Sequence, residues 1–424
     1  MTILIKGARL VDPSQGLDET GDLLLKEGKI AAIGGDLGTE AEEILDGRGL
    51  VAAPGLVDMH VHLRDPGLTY KEDVFTGCRA AAAGGVTSLL AMPNTKPPMD
   101  NPEGVRALLE KAASADAAVY TAACVTKGMQ GEELTDLEAL KAAGAIAISD
   151  DGVPVGSSRC LLEALEKAQK LGLTLTAHCE DMDLARGGKM NDGPLARELG
   201  LPGIPAAAED CGTAREIAAA ASIDAAVHIC HVSTKGSVAL IRDAKARGVK
   251  VTAETCPHYL LLTQEALRSR DADYRMNPPL RTEADRLALI QGLQDGTIDA
   301  ISTDHAPHSP EEKADFAGAP NGSIGMETSL AATLTALEGK LSLPQIMEKM
   351  SWAPAKILGI PAGTLQVGQN ADVVLFDPER KWVVDPEKLH GKSKNTPFKG
   401  MTLKGKVLVT IFRGRKVYDG REEI

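Results

Sequence analysis

The rhythm of apolar and polar positions changes twice along this chain. Over the first fifty residues, short apolar runs are broken by glycines. Ile3–Ala8, Gly21–Lys26 and Lys29–Ile33 predict strands, with turns at Gly28 and the Gly34-Gly35 pair. From about Val51 to about Gly359, apolar runs alternate with Ala- and Leu-rich stretches of helical period. Eight runs predict strands there: Leu56–His62, Thr87–Met92, Ala117–Ala123, Ala145–Ser149, Thr174–His178, Ala226–His231, Lys250–Glu254 and Ala300–Thr303. Helices are predicted between them at Pro102–Ala115, Leu134–Ala143, Ser158–Leu171, Thr213–Ala221, Gly236–Arg247 and Glu283–Gln294. The last sixty residues return to strands, at Ala371–Phe376, Leu408–Phe412 and Arg415–Tyr418.

Eight strands alternating with helices predict a parallel βα array, and a closed barrel is the economical way to bury such a sheet. The expected fold class is α/β: a (β/α)8 TIM-type barrel over residues 53–363, plus a small β-sandwich domain built from both chain ends, 1–52 and 364–424.

Charge and composition narrow the function. The net charge is −13 and aromatics make up 3% of the chain, which disfavours nucleic acid and anionic membranes as partners. No apolar run approaches the length of a membrane span, and Met1–Gly7 reads as a strand and not as a secretion signal. The expected location is the cytoplasm. The seven cysteines lack CxxC spacing and read as free, buried thiols of a reducing compartment.

The chemistry gathers at the predicted strand ends, where α/β barrels build their active sites. His60 and His62 stand two apart on one strand, so both face the same way and can share a metal ion. His178 and His231 each end a strand, and His228 reads as a packed or supporting residue. Asp150-Asp151-Gly152 follows the fourth strand; a carboxylate there can bridge two metals, and an Asp-Gly pair can also simply turn the chain. Asp304, after the last strand, suits a general base beside a metal. Four imidazoles and a bridging aspartate describe a two-metal site for hydrolysis of an amide-like bond. Nitrogen and oxygen donors without thiolates fit Zn2+, with Mn2+ or Co2+ as alternatives.

Longer motifs carry a resemblance. Pro54-Gly55-Leu56-Val57-Asp58-Met59-His60-Val61-His62 and Ser302-Thr303-Asp304-His305-Ala306-Pro307-His308 resemble the metal-dependent amidohydrolase superfamily. Arg64-Asp65-Pro66-Gly67, Met92-Pro93-Asn94-Thr95, His231-Val232-Ser233-Thr234, Glu254-Thr255-Cys256-Pro257-His258 and Met276-Asn277-Pro278-Pro279-Leu280-Arg281 are similar to the type I bacterial dihydroorotases. So are Gly325-Met326-Glu327-Thr328 and Ser393-Lys394-Asn395-Thr396-Pro397-Phe398, and the likeness spans essentially the whole chain.

The resemblance implies reversible hydrolysis and cyclisation between dihydroorotate and N-carbamoyl-aspartate, in pyrimidine biosynthesis. It implies two zinc ions per chain, bridged by Asp151 and a hydroxide: His60 and His62 on the first, His178 and His231 on the second, and Asp304 as metal ligand and proton shuttle. Many relatives bridge with a carboxylated lysine; this chain has Ile148-Ser149-Asp150-Asp151 there instead. His62, Arg64, Asn94, Asn277, His308, Asn321 and Gly322 are the implied substrate contacts. The family also implies a homodimer and allows a complex with aspartate transcarbamoylase. Three alternatives stay open: an allantoinase- or dihydropyrimidinase-like hydrolase, an inactive partner of aspartate transcarbamoylase, and a mononuclear deaminase. The Gly/Pro-rich stretch 309–322 reads either as a mobile active-site loop or as a surface insertion.

Overall fold

The computed structural model describes residues 1–421. Strands β1 (Thr2–Asp12), β2 (Leu17–Lys26), β3 (Lys29–Gly34), β4 (Glu43–Asp46) and β5 (Val51–Pro54) open the chain. The barrel strands follow as β6 (Leu56–Val61), β7 (Val86–Ala91), β8 (Ala118–Ala123), β9 (Ala147–Ile148), β10 (Thr174–Ala177), β11 (Val227–Ile229), β12 (Val251–Thr255) and β13 (Ala300–Ile301). The end supplies β14 (Val373–Val383), β15 (Thr402–Phe412) and β16 (Arg415–Asp419).

Strands β6 to β13 pair in parallel with their sequence neighbours. A bridge between Val61 and His305, where the His62 N–H donates to the His305 carbonyl at 2.8 Å, brings the last strand's exit back to the first. The eight predicted runs are thus the eight barrel strands. The helices differ more. Ser158–Leu171 and Glu283–Gln294 match, whereas the helix expected from Thr213 begins at Ala206 and runs to Ser222. A helix at Val74–Ala83, capped by Asp73 and rich in buried alanine, has too weak a polar face to stand out as periodic.

Both chain ends enter one sheet, in the order β16-β15-β14-β5-β1-β2-β3, with β4 on the edge of β1. Alternation along β14 divides its side chains between two cores. Val373 and Leu375 pack with Ile3, Leu23, Leu25 and Ile411, so that the sheet covers a core of its own. Val374 and Phe376 point the other way, into the core shared with the barrel helices. Glycine is required where the chain passes from β5 into β6: a Cβ at Gly55 would lie 2.1 Å from the Thr87 side chain. Six of the seven cysteines are buried, and Cys211 is exposed; all are free thiols. Among the described residues, no helix is long and apolar enough to cross a membrane.

Candidate active site

Strand ends deliver the functional side chains through strained backbone. The predicted strands run into the histidines and stop just before Asp151 and Asp304, and the observed strands end earlier, leaving His62, His178 and His231 beyond them. Arg64, His231 and Asp304 follow strand ends with φ of 60°, 36° and 48°. The left-handed region is uncommon for residues with a Cβ, and here it turns three polar side chains out of the barrel ladder. Pairing between β6 and β7 also shifts register between Asp58 and Val61, beside His60.

These turns bring together residues far apart in sequence. His60 Nε2 lies 3.3 Å from Asp151 Oδ1, and His62 Nε2 lies 3.4 Å from Asp151 Oδ2. On the other side, His231 Nε2 and His178 Nδ1 lie 3.5 and 3.7 Å from Asp151 Oδ1. Asp304 Oδ1 sits 3.1 Å from His62 Nε2 and 3.7 Å from His60 Nε2. Of the three three-donor groups that result among the described residues, His60/His62/Asp151 and Asp151/His178/His231 share Asp151, and the third, His60/Cys230/Glu254, lies on the Glu254 side of His60. His60 Nε2 and Asp151 Oδ1 are buried without a hydrogen-bond partner. Polar atoms of that kind are costly unless something fills the space between them, and imidazole and carboxylate donors suit a divalent cation. The residues therefore fit a metal centre. Burial would raise the Asp304 carboxyl, but the adjacent His62 and the nearby His60 and His231 hold it below its usual range.

Three of the four histidines are held from behind. His60 Nδ1 lies 3.1 Å from Glu254 Oε1, His178 Nε2 lies 3.1 Å from Glu180 Oε2, and His62 Nδ1 lies 2.8 Å from Asn94 Oδ1. An N–H donated to such an acceptor leaves the opposite ring nitrogen free for a metal. Burial pushes the Glu254 carboxyl up, but the nearby His228 and the hydrogen bond from His60 outweigh it and hold it well below the usual range. His228 is a supporting residue: its Nδ1 is 2.9 Å from Thr252 Oγ1, and its Nε2 is 3.5 Å from Glu254 Oε2. Glu254 and Glu180 received no role in the sequence reading, yet both left a trace there. Glu254 ends a predicted strand, and Glu180 stands two residues after His178. Asp150 turns away; its carboxylate accepts from the Val125 N–H at 2.8 Å and from Thr126, holding the neighbouring strand exit.

A cavity of about 250 Å³ opens over this cluster, and every residue proposed for substrate from sequence lines it: His62, Arg64, Asn94, Asn277, His308, Asn321 and Gly322. Asn94 divides its amide between His62 and the Asp151 carbonyl, 3.3 Å away. Asn277 donates to Glu180 at 3.0 Å, while its Oδ1 is buried without a partner. Arg64 is buried and donates through Nε to the Pro307 carbonyl. Burial and the adjacent Arg64, Lys71 and Lys313 cations push His308 down to about 3, so the ring is neutral. Lys71 donates to its Nδ1 at 3.2 Å, which leaves Nε2–H to donate to the Asn321 carbonyl at 2.9 Å.

The 309–322 stretch is fastened on several sides. Its short helix Pro310–Lys313 is capped by Ser309, Glu312 pairs with Lys71 at 2.8 Å, and Lys313 donates to the Ala272, Arg275 and Pro320 carbonyls. A larger cavity of about 630 Å³, lined by Ala83, Glu327, Trp382 and Lys406 among others, touches none of the predicted site residues.

Comparison with known proteins bears on this geometry. Residues 49–237 match the family described as Dihydro-orotase-like. The chain is 50% identical over 422 residues to the dihydroorotase of Citrifermentans bemidjiense, covering 99% of this chain and all of that one. It is likewise 50% identical to the dihydroorotase of Geobacter metallireducens, with 99% and 100% covered. Among solved structures it is similar to the L-hydantoinase (dihydropyrimidinase) of Arthrobacter aurescens, with a TM-score of 0.88 and 28% identity over 98% of this chain and 96% of that one. The dihydropyrimidinase of Brevibacillus agri gives a TM-score of 0.87 and 30% identity over 99% and 95%. With half its residues shared end to end with these relatives, and a barrel whose strand exits converge on paired metal-type donors, this chain belongs to the dihydroorotase family of cyclic amidohydrolases.

Proposed function

We propose that this enzyme interconverts (S)-dihydroorotate and N-carbamoyl-L-aspartate, the ring-closing step of de novo pyrimidine (UMP) biosynthesis. The observation that carries the reading is the convergence of Arg64, the unpaired Asn277 Oδ1 and the donor cluster on one small cavity. Dihydroorotate has a carboxylate on a cyclic imide. A guanidinium forks onto a carboxylate, and an amide oxygen accepts a ring N–H. Hydantoin and dihydrouracil lack that carboxylate and would leave Arg64 buried and unmatched, which is how a polar site rejects a near relative.

His60, His62 and Asp151 would hold one zinc ion, and Asp151, His178 and His231 the other. When bound, the pair supplies a water ionised near neutral pH and a Lewis acid for the ring carbonyl. Asp304 faces the same space beside His62; in the hydrolytic direction it accepts the proton of the attacking water and delivers it to the leaving ring nitrogen. Ring closure runs the same proton backwards, so cyclisation is favoured in acid and hydrolysis in base. Arg64 and Asn277 orient the substrate, with Asn94, His308 and the Asn321-Gly322 backbone completing the wall. Residues 53–363 form the catalytic unit, and 1–52 with 364–424, of which 422–424 lie outside the described residues, its β companion.

The test is the loss of dihydroorotate absorbance in the far ultraviolet, using protein stripped of metal and then reloaded with zinc. Zinc-dependent turnover of dihydroorotate, with hydantoin and dihydrouracil inert, is the expected result. A folded, zinc-loaded protein that hydrolyses hydantoin or dihydrouracil and leaves dihydroorotate untouched overturns the proposal.

A further inference from the structure

The motif Ser393-Lys394-Asn395-Thr396-Pro397-Phe398 lies outside the barrel, between β14 and β15, and takes no part in the chemistry described above. Its asparagine nevertheless reaches the cavity wall. Asn395 is buried, and its side-chain hydrogen bonds all go to backbone. Oδ1 accepts from the His308 N–H at 3.1 Å. Nδ2 donates to the Gly322 carbonyl at 3.1 Å and to the Ala306 carbonyl at 3.3 Å. Only one orientation of the amide satisfies all three. The Asn395 carbonyl adds a fourth tie, accepting from the Ile324 N–H at 3.1 Å.

Other bonds hold each segment separately, the Ala306 N–H donating to the Ser323 carbonyl and the Gly322 N–H to the Arg275 carbonyl, both at 2.9 Å, and Asn395 adds a tie that spans the two. After β13 the chain runs through His308 without regular structure, apart from the single-residue bridges His305 makes to Val61 and Ser323. The segment around Gly322 is equally irregular, and it packs so closely that a Cβ there would lie 2.7 Å from the Ala306 Cβ and 3.0 Å from His308 Nε2. Asn395 itself is anchored on both sides. Ser393 Oγ donates to the Lys71 carbonyl at 2.7 Å, and Phe398 is buried against Ala331, Ala332 and Leu403. The His60/His62/Asp151 and Asp151/His178/His231 donors stand on other strand exits and do not touch it, while Asp304 shares the β13 exit with the tied segment.

We infer that Asn395 is a positioning residue for substrate: from outside the barrel it holds the backbone of His308 and Gly322 in the register that makes the binding wall. This rests on the function proposed above. The prediction is a split in kinetics. Substituting Asn395→Ala removes ground-state and transition-state binding alike, so KM for dihydroorotate should rise about tenfold or more while kcat stays within about threefold. Zinc content should stay at the wild-type value. Asn395→Asp keeps the acceptor for His308 but sets a carboxylate against two carbonyls, and should raise KM at least as far. Amide hydrogen exchange over residues 305–324 should quicken in both variants.

Unchanged KM and exchange, or a loss of kcat and zinc in step with a lowered melting temperature, overturns the inference in favour of a merely structural role. Failure of both variants to fold overturns it too. If the wild-type enzyme leaves dihydroorotate untouched, the functional proposal falls, yet exchange over 305–324 still decides whether Asn395 holds the wall.

Discussion

Glu254 gives the sharpest quantitative test of how this centre is built. Its side chain is fully buried, with Oε1 3.1 Å from His60 Nδ1 and Oε2 3.5 Å from His228 Nε2. The carboxyl is held well below its usual range, so it is ionised, and its bond to His60 is charge-assisted. Glu254→Gln keeps the volume and removes the charge. A hydrogen bond to a charged group contributes about 1.5–3 kcal/mol net. At about 1.4 kcal/mol per factor of ten, the whole bond is worth roughly 10- to 100-fold in affinity, and Gln, which keeps a neutral acceptor, should weaken the site by about 10-fold, the low end of that range. That matches the usual effect of removing a ligand's outer partner. The effect should be confined to one side. Glu254 touches His60 alone among the donors, so only the His60/His62/Asp151 group should weaken. Glu180→Gln is the mirror experiment, since Glu180 holds His178 and should weaken the Asp151/His178/His231 group. Titrating zinc into apo protein against a competing chelator resolves the two affinities. Equal weakening of both sites in either variant, or no weakening in both, would refute the idea that each carboxylate governs its own histidine.

Three further predictions follow from the same geometry. Asp304→Asn should lower kcat by about 10²- to 10⁴-fold, the usual range for a lost acid–base group. Zinc analysis should find most of the metal retained, because both three-donor groups that share Asp151 are complete without Asp304, which adds a further ligand beside His60 and His62; retained turnover would rule the residue out as the proton carrier. Arg64→Lys should raise KM by about 10-fold or more, because a point charge cannot replace the planar fork; steady-state kinetics with an unchanged KM would remove Arg64 from the substrate site. His308, pushed down to about 3 by burial and then by Arg64, Lys71 and Lys313, binds its proton less readily folded than unfolded. The stability it supplies is therefore whole above about pH 6.5 and shrinks as the pH falls towards 3. Melting curves of His308→Asn should accordingly lose less between pH 6.5 and pH 4 than those of wild type, and parallel curves would contradict the assignment.

Much of this protein can be read from its sequence, because local pattern carries it. A βα rhythm follows from burial of each strand between helices, so all eight barrel strands were legible. The strand ends were equally plain: imidazole and carboxylate side chains closing apolar runs, as at His178, His231 and Asp304, have no structural need to be there. What local pattern cannot encode is which distant groups meet. Glu254 matters because barrel closure sets it behind His60, 194 residues earlier in the chain, whereas Glu180 reaches His178 from two residues away. The extent of the Ala206–Ser222 helix escaped because buried alanines blur the amphipathic period. The left-handed turns at Arg64, His231 and Asp304 carry no glycine to mark them; tertiary packing imposes them against local preference. Asn395 makes the point most sharply. The sequence places it more than seventy residues beyond the nearest wall segment it ties, and only the return of the chain end to the barrel makes it part of the substrate wall. Periodicity and residue chemistry thus determined the fold class and the metal-type donors, whereas long-range hydrogen bonds, which depend on three-dimensional closure, decided how those donors and the cavity wall are held.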